Sequence, residues 1–175
     1  WLPGSTVLIV VLLCAFFSAA ALAKVDITIK GIDGELEDNV EAYLLSVAEP
    51  SGRNLGSYRD SLLAEATKAM MALGYYNSQV TLEVSLKKNK IGNLKVLANV
   101  VAGEQVMIKS LDVQVMGEAR HDEEFLTFIK KLDLKVNEPL NHGVYSSAKS
   151  SFTSMALQRG YFNSEFVKST VEVAA

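Results

Sequence analysis

Val25, Ile27 and Ile29 alternate with Asp26, Thr28 and Lys30, the two-residue period of a half-buried strand. After Gly31, the residues Leu36, Val40, Tyr43, Leu44 and Val47 fall at helical spacing and form one apolar stripe. Pro50-Ser51-Gly52 is the stop signal for that helix. A second helix is predicted from Ser57, a candidate N-cap, along the stripe Leu62, Leu63, Ala66, Met70 and Leu73. Alternation then returns, with Val80, Leu82, Val84 and Leu86 set against Thr81, Glu83, Ser85 and Lys87. A turn at Lys88–Asn93 leads into a third strand around Leu94 to Val101. The predicted order is strand, helix, helix, strand, strand.

The same order begins again. Gly74-Tyr75-Tyr76-Asn77-Ser78 is echoed by Gly160-Tyr161-Phe162-Asn163-Ser164, 86 positions later (160 − 74). Gly31 and Gly117 keep that spacing, as do Thr67 and Thr153. Chance matches do not hold register across such distances, so the chain contains an internal duplication. In the second copy Leu111, Val113 and Val115 alternate with Asp112, Gln114 and Met116, which predicts a strand. Asp122, Glu123 and Glu124 open a helix whose apolar face is Phe125, Phe128, Ile129 and Leu132. Asn141 is the candidate cap of the next helix, with Val144, Ala148, Phe152 and Met155 facing inward. A strand from Glu165 to Val173 follows, in weaker register, and the counterpart of the first copy's third strand is absent from the sequence.

The echoed pentapeptide marks where the second helix ends and a strand begins. Gly74 and Gly160 suit the left-handed position just past a helix end, where any Cβ would clash. Tyr75 and Tyr161 are placed to fold back on the last helical turn, and Asn77 and Asn163 suit the turn into the strand. These residues are predicted as structural joints, not as catalytic groups.

Composition narrows the class. The 175 residues are 49% hydrophobic and 21% charged, enough to bury a core in one ordinary domain or two small ones. Net charge is −3 with both signs well mixed, and no basic stripe is present to hold phosphates, which excludes nucleic acid as the main partner. All charges lie after residue 23. The apolar run Val7–Phe17 followed by Ala21-Leu22-Ala23 has the core and cleavage site of a signal peptide, which makes 1–23 a leader and Lys24 the first mature residue. The basic flank is missing, and an uncleaved anchor is the other reading of this segment. Cys14 lies inside the apolar run after the bulky Leu13, unlike a lipoprotein site, so the mature chain is cysteine-free and rests on packing alone.

The element order, the closing G-[YF]-[YF], and the bridge VVAGEQVMIKSLDVQVMG resemble the POTRA domain, the polypeptide-transport-associated module, in tandem. The head VDITIKGIDGELEDNVEAYL and the tail LQRGYFNSEF are similar to the outer-membrane subunit of the bacterial translocation and assembly module (TamA type). The fold this implies is α+β, each unit having a three-stranded mixed sheet packed on two helices, with units at 24–108 and 109–175 and the second truncated. The resemblance further implies a periplasmic arm ahead of an outer-membrane barrel. Its partners would be an inner-membrane-anchored subunit and unfolded outer-membrane protein clients, with no cofactor and no metal. A single-pass inner-membrane scaffold carrying a POTRA domain, as in cell division, is the alternative, and the tandem speaks against it.

In such a sheet the third strand is central and the second is an edge. Val80, Thr81, Leu82, Glu83, Val84, Ser85 and Leu86 would then offer an unpaired row of backbone groups for β-augmentation. Alternation there first reports a core face, and Lys87 with Lys88 equally suits a protected edge. The second copy, lacking its middle strand, is expected to be looser than the first. Chemistry finds no foothold in the sequence. His121 and His142 lack metal-ligand spacing, the acidic runs Glu35/Glu37/Asp38 and Asp122–Glu124 read as first helical turns, and Met70-Met71 reads as core rather than as a groove. No nucleophile elbow, P-loop or dinucleotide fingerprint occurs. The chain is not expected to be an enzyme.

Overall fold

The computed structural model of the chain describes residues 25–50, 54–86 and 94–173. The apolar leader, the Ser51-Gly52 stop and the Lys88–Asn93 turn lie outside the described residues. In the first copy the elements run β1 (Asp26–Lys30), α1 (Gly34–Ser46), α2 (Leu55–Ala72), β2 (Gln79–Leu86) and β3 (Leu94–Val101). The sheet order is β1-β3-β2, with β1 parallel and β2 antiparallel to the central β3. The expected mixed three-stranded sheet on two helices is therefore present.

Sequence alternation sets which face of the sheet meets the helices. Leu94, Val96, Ala98 and Val100 of β3 are all buried, while Lys95, Asn99 and Val101 are exposed on the other face. Val40 and Leu44 of α1, with Tyr58, Leu62, Ala66, Ala69 and Met70 of α2, complete one continuous core. Ala66 and Ala69 are small, and both are fully buried where α2 packs into this core. Asn39 Nδ2 donates to the Ala69 carbonyl at 2.8 Å and ties α1 to α2. Met70 is thus core, as read from its spacing, and Met71 is partly exposed.

Two helix boundaries differ from the sequence reading. Asn54, not Ser57, caps α2: its side chain accepts from the Ser57 N–H, and the helix begins at Leu55. Both residue types suit a cap, and Asn54 is the one whose side chain meets a free N–H of the first turn. α1 ends at Ser46, ahead of Pro50, with the Val47 N–H closing onto the Leu44 carbonyl.

The second copy holds a 3₁₀ turn at Gly117–His121, then α3 (Glu123–Lys130) and α4 (His142–Gln158). The two strands predicted here, Leu111–Val115 and Glu165–Val173, are not formed, and both segments are irregular. The reason lies in the first copy. There β1 and β2 each pair only with β3, never with one another. Among the described residues of the second copy no segment takes the place of β3, so alternating sequence there has no ladder to join. Gly31 and Gly117 record the same difference. At Gly31 (φ +93) a Cβ would overlap the Val100 carbonyl oxygen of β3, whereas at Gly117 (φ +71) nothing lies within 4 Å.

The second core is correspondingly thin. Ile108, Leu134 and Leu140 form one small buried cluster. Phe125, Phe128, Phe152 and Tyr161 form an aromatic group between α3 and α4, with Phe128 and Phe152 edge-to-face at 4.8 Å. Leu126, at the repeat position of the fully buried Val40, is exposed.

Amide exchange should therefore divide the chain. Amides of β3 and of the buried face of α2 are expected to be the slowest, and those of residues 109–116 and 165–173 close to unprotected rates. Equal protection in the two copies would contradict this structure. Leu62→Ala should destabilise the first copy by about 2–5 kcal/mol, as a cavity in a closed core does, measured by denaturant unfolding.

Candidate functional site

β2 presents the open border of the sheet. Its eight residues bond to β3 on one side, in the register Gln79↔Val101 through Leu86↔Leu94, and among the described residues have no strand on the other. Val80, Leu82 and Val84 are half-buried toward the helices, while Thr81, Glu83, Ser85 and Leu86 are exposed. No β2 residue is fully buried, so the border is not covered by the described chain. Glu83 is the only charged side chain in the strand. The opposite edge, β1, is shorter and carries a charge at each end, Asp26 and Lys30. Length and low charge make β2 the better template for an added strand.

Immediately before β2 stands the first joint. Gly74 has φ +87, its N–H donates to the Met71 carbonyl at 3.0 Å, and the Tyr75 N–H donates to the Met70 carbonyl at 3.0 Å. This pair of bonds is a Schellman closure of α2. The backbone, rather than the aromatic ring alone, makes Tyr75 fold back. Asn77 lies in the turn that follows. Gly160 repeats the geometry with φ +86, Gly160 N–H to Leu157 O at 3.2 Å and Tyr161 N–H to Ala156 O at 2.9 Å. Asn163 again lies in the turn.

The two joints differ in what they touch. At the first, the bridge between the copies runs along the helix end: the Val106 N–H donates to the Gly74 carbonyl at 2.9 Å, and Gln105 Nε2 donates to the Leu73 carbonyl at 2.8 Å. The bridge then passes into the second copy, where the Leu140 N–H donates to Val106 O and the Ile108 N–H to Glu138 O, both at 2.9 Å. Tyr76 packs against the Ile108–Leu134–Leu140 cluster and shares a 2.5 Å hydrogen bond with His142 Nε2. Burial raises the Tyr76 pKa above its ordinary value. Gly74 is buried, and a Cβ there would stand 2.7 Å from the Leu140 carbonyl oxygen.

The second joint is held from behind. Asp122 caps α3 by accepting from the Glu124 N–H at 3.1 Å, and also accepts from Arg159 Nε at 2.5 Å and from the Tyr161 hydroxyl at 3.2 Å. Tyr161 meets Phe125 edge-on at 5.9 Å. One carboxylate thus joins the start of α3 to the end of α4. Burial pushes the Asp122 pKa up, but hydrogen bonds from Arg159, the Glu124 N–H and Tyr161 outweigh it, and the net position is below the ordinary carboxylate value. Burial, followed by the bond to Asp122, raises Tyr161.

The Tyr76–His142 contact and this clamp escape a reading of the sequence for motifs. The clamp had a signal: Asp122 and Arg159 stand 86 positions after Leu36 and Leu73, so two apolar residues are replaced together by an acid and a base. His142 opens α4, while His121 ends the 3₁₀ turn. Glu35 and Glu37 lie in the first turn of α1, as do Glu123 and Glu124 in α3. Among the described residues no group of three or more His, Cys, Asp or Glu is placed to hold a metal ion, and no helix is long and apolar enough to cross a membrane.

Residues 26–102 match the family model of the POTRA domain described as TamA domain 1. Among solved structures, the chain is similar to Haemophilus influenzae BamA POTRA3-5 at 15% identity and a TM-score of 0.39, over 79% of this chain and 50% of that one. It therefore spans about half the length of that structure.

Two outcomes follow from the joints. Gly160→Ala should cost about 1–2 kcal/mol through the left-handed geometry alone. Gly74→Ala should cost more and also release the second copy, since the added Cβ meets the Leu140 carbonyl; loss of chemical-shift coupling between the Tyr76 and His142 resonances would report it. For Asp122, the folded pKa lies below the unfolded one, so its contribution is complete above the unfolded value and fades as pH falls through the folded value. Acid titration followed at the Phe125 and Tyr161 rings should loosen α3 from α4 below about pH 4. Asp122→Asn should be looser at neutral pH and lack that acid step.

Proposed function

We propose that residues 26–102, a POTRA domain of the TamA type, act as a non-catalytic docking scaffold on the periplasmic side of outer-membrane protein assembly. The observation that carries this reading is the free border of β2, eight residues long with one charge and no strand beside it. An extended segment of a client, or of an inner-membrane-anchored partner subunit, would lie along Val80–Leu86 and continue the sheet. Main-chain bonding does not depend on the side chains of the guest, which suits a handler of many clients. Each such bond is worth about 0.5–1.5 kcal/mol net, so five or six barely exceed the cost of association. Binding of that strength is brief and reversible, as a transfer step needs. Export of the chain and its attachment to an outer-membrane barrel belong to the same proposal.

Titration of the isotope-labelled chain with an alternating apolar peptide from an outer-membrane strand tests the reading. Alternate amides of Gln79–Leu86, those pointing away from β3, should shift saturably and gain exchange protection. Shifts confined to β1 or to the helices, with β2 unmoved at millimolar peptide, would remove the basis for β2 as the dock.

A further inference from the structure

An open strand border is a template for a guest and equally for the same border in a second molecule, because backbone groups do not distinguish the two. Any preference has to come from side chains. On β2 these fall into two rows. Val80, Leu82, Val84 and Leu86 form the row facing the helices, and Gln79, Thr81, Glu83 and Ser85 form the outward row. Leu86, at the end of the inner row, is still 59% exposed.

Self-pairing can be laid out from this sequence. Two β2 borders related by a two-fold axis perpendicular to the sheet run antiparallel and keep both helix layers on one face. Facing residues then belong to the same row, and the two longest such registers set 80–86 against itself or 79–85 against itself. In the first, Val80 faces Leu86 and Leu82 faces Val84, an apolar seam that would cover the exposed Leu86. The same register sets Glu83 against its own copy, with Cβ atoms about 5 Å apart. In the second, each Glu83 faces Thr81 and the two carboxylates stand diagonal to one another. Glu83 therefore works against both registers.

A guest meets that carboxylate too. Glu83 is exposed, and among the described residues it has no ion pair or hydrogen bond. Its neighbour across β3 is Leu97, while Lys95 faces Ser85 instead. The strand has no other charge. The guest side chain opposite Glu83 thus meets an acid that nothing on β2 neutralises.

We propose that Glu83 sets the charge preference of the border. It favours extended segments with Lys or Arg opposite it and apolar side chains on the alternate, helix-facing row. It disfavours acidic segments and the border of a second copy. This rests on β2 being the dock.

Three peptides test it, sharing one alternating apolar pattern and differing only in a central outward residue, Lys, Gln or Glu. Each is titrated into the whole isotope-labelled chain, with β2 amide shifts as the readout. Affinity should fall from Lys through Gln to Glu, by about fivefold between the extremes, and the spread should shrink at high salt. In Glu83→Lys the order should reverse, and in Glu83→Gln the spread should vanish. Equal affinity of all three at β2, or an order that Glu83→Lys leaves unchanged, would overturn the charge preference while the dock stands. No β2 shift with any peptide would overturn the dock and the preference together. Sedimentation gives an arm without guests: Glu83→Gln should strengthen self-association by about threefold, with exchange protection gained along β2. Unchanged self-association would overturn the part assigned to Glu83 against a second copy. Glu83 is exposed, so these replacements do not threaten folding.

Discussion

β3 is the one strand that bonds on both sides. Its inner face supplies Leu94, Val96, Ala98 and Val100 to the core, while its two edges carry the whole of β1 and β2. Among the described residues neither outer strand has another strand partner, so both depend on a segment that arrives after them in the sequence. The ladder forms only when the chain has returned past two helices and a hairpin. Non-local closure of this kind carries a chain-entropy cost that only the completed core offsets.

Among the described residues of the second copy, no strand takes the place of β3. Its helices form, because an α-helix satisfies its own backbone and needs only caps and one buried stripe. Asp122 and Asn141 supply the caps. Its would-be strands do not form, although the alternation at Leu111–Val115 is as clear as that of β1. Leu111, Val113 and Val115 have the right period but no ladder to bond into. The Asp122–Arg159–Tyr161 clamp links the ends of the two helices directly. At the repeat positions of Asp122 and Arg159 the first copy has the half-buried Leu36 and Leu73 instead.

This contrast also explains which parts of the molecule could be read from residues alone. The repeat, the strand faces and both helix-ending glycines were legible, since period and φ requirements are local properties, whereas the central place of the third strand came from the family resemblance. Strand formation at 111–115 and 165–173 was not legible, because pairing is a property of two segments and one was missing. Asn54 as cap was hidden by an equally suitable Ser57 three residues on. The open border of β2 follows from strand order, but Tyr76 with His142 links residues that are far apart in sequence and has no local mark.

Joint and border are not separate devices. Tyr76 and Asn77 form the turn out of α2, and β2 begins at Gln79. The segment from Met70 to Leu86 is therefore one continuous piece: a helix end closed by two hydrogen bonds, a turn clamped by the bridge, and the strand with the free edge. Fixing the turn from both sides fixes the direction in which the strand leaves it. A flexible turn would let the edge swing and would charge each guest the entropy of ordering it, which a dock of weak main-chain bonds has no surplus to meet. The buried Gly74, with its carbonyl held by Val106, removes that cost in advance. The rigidity of the first joint is thus a condition for the border to work as the proposed dock.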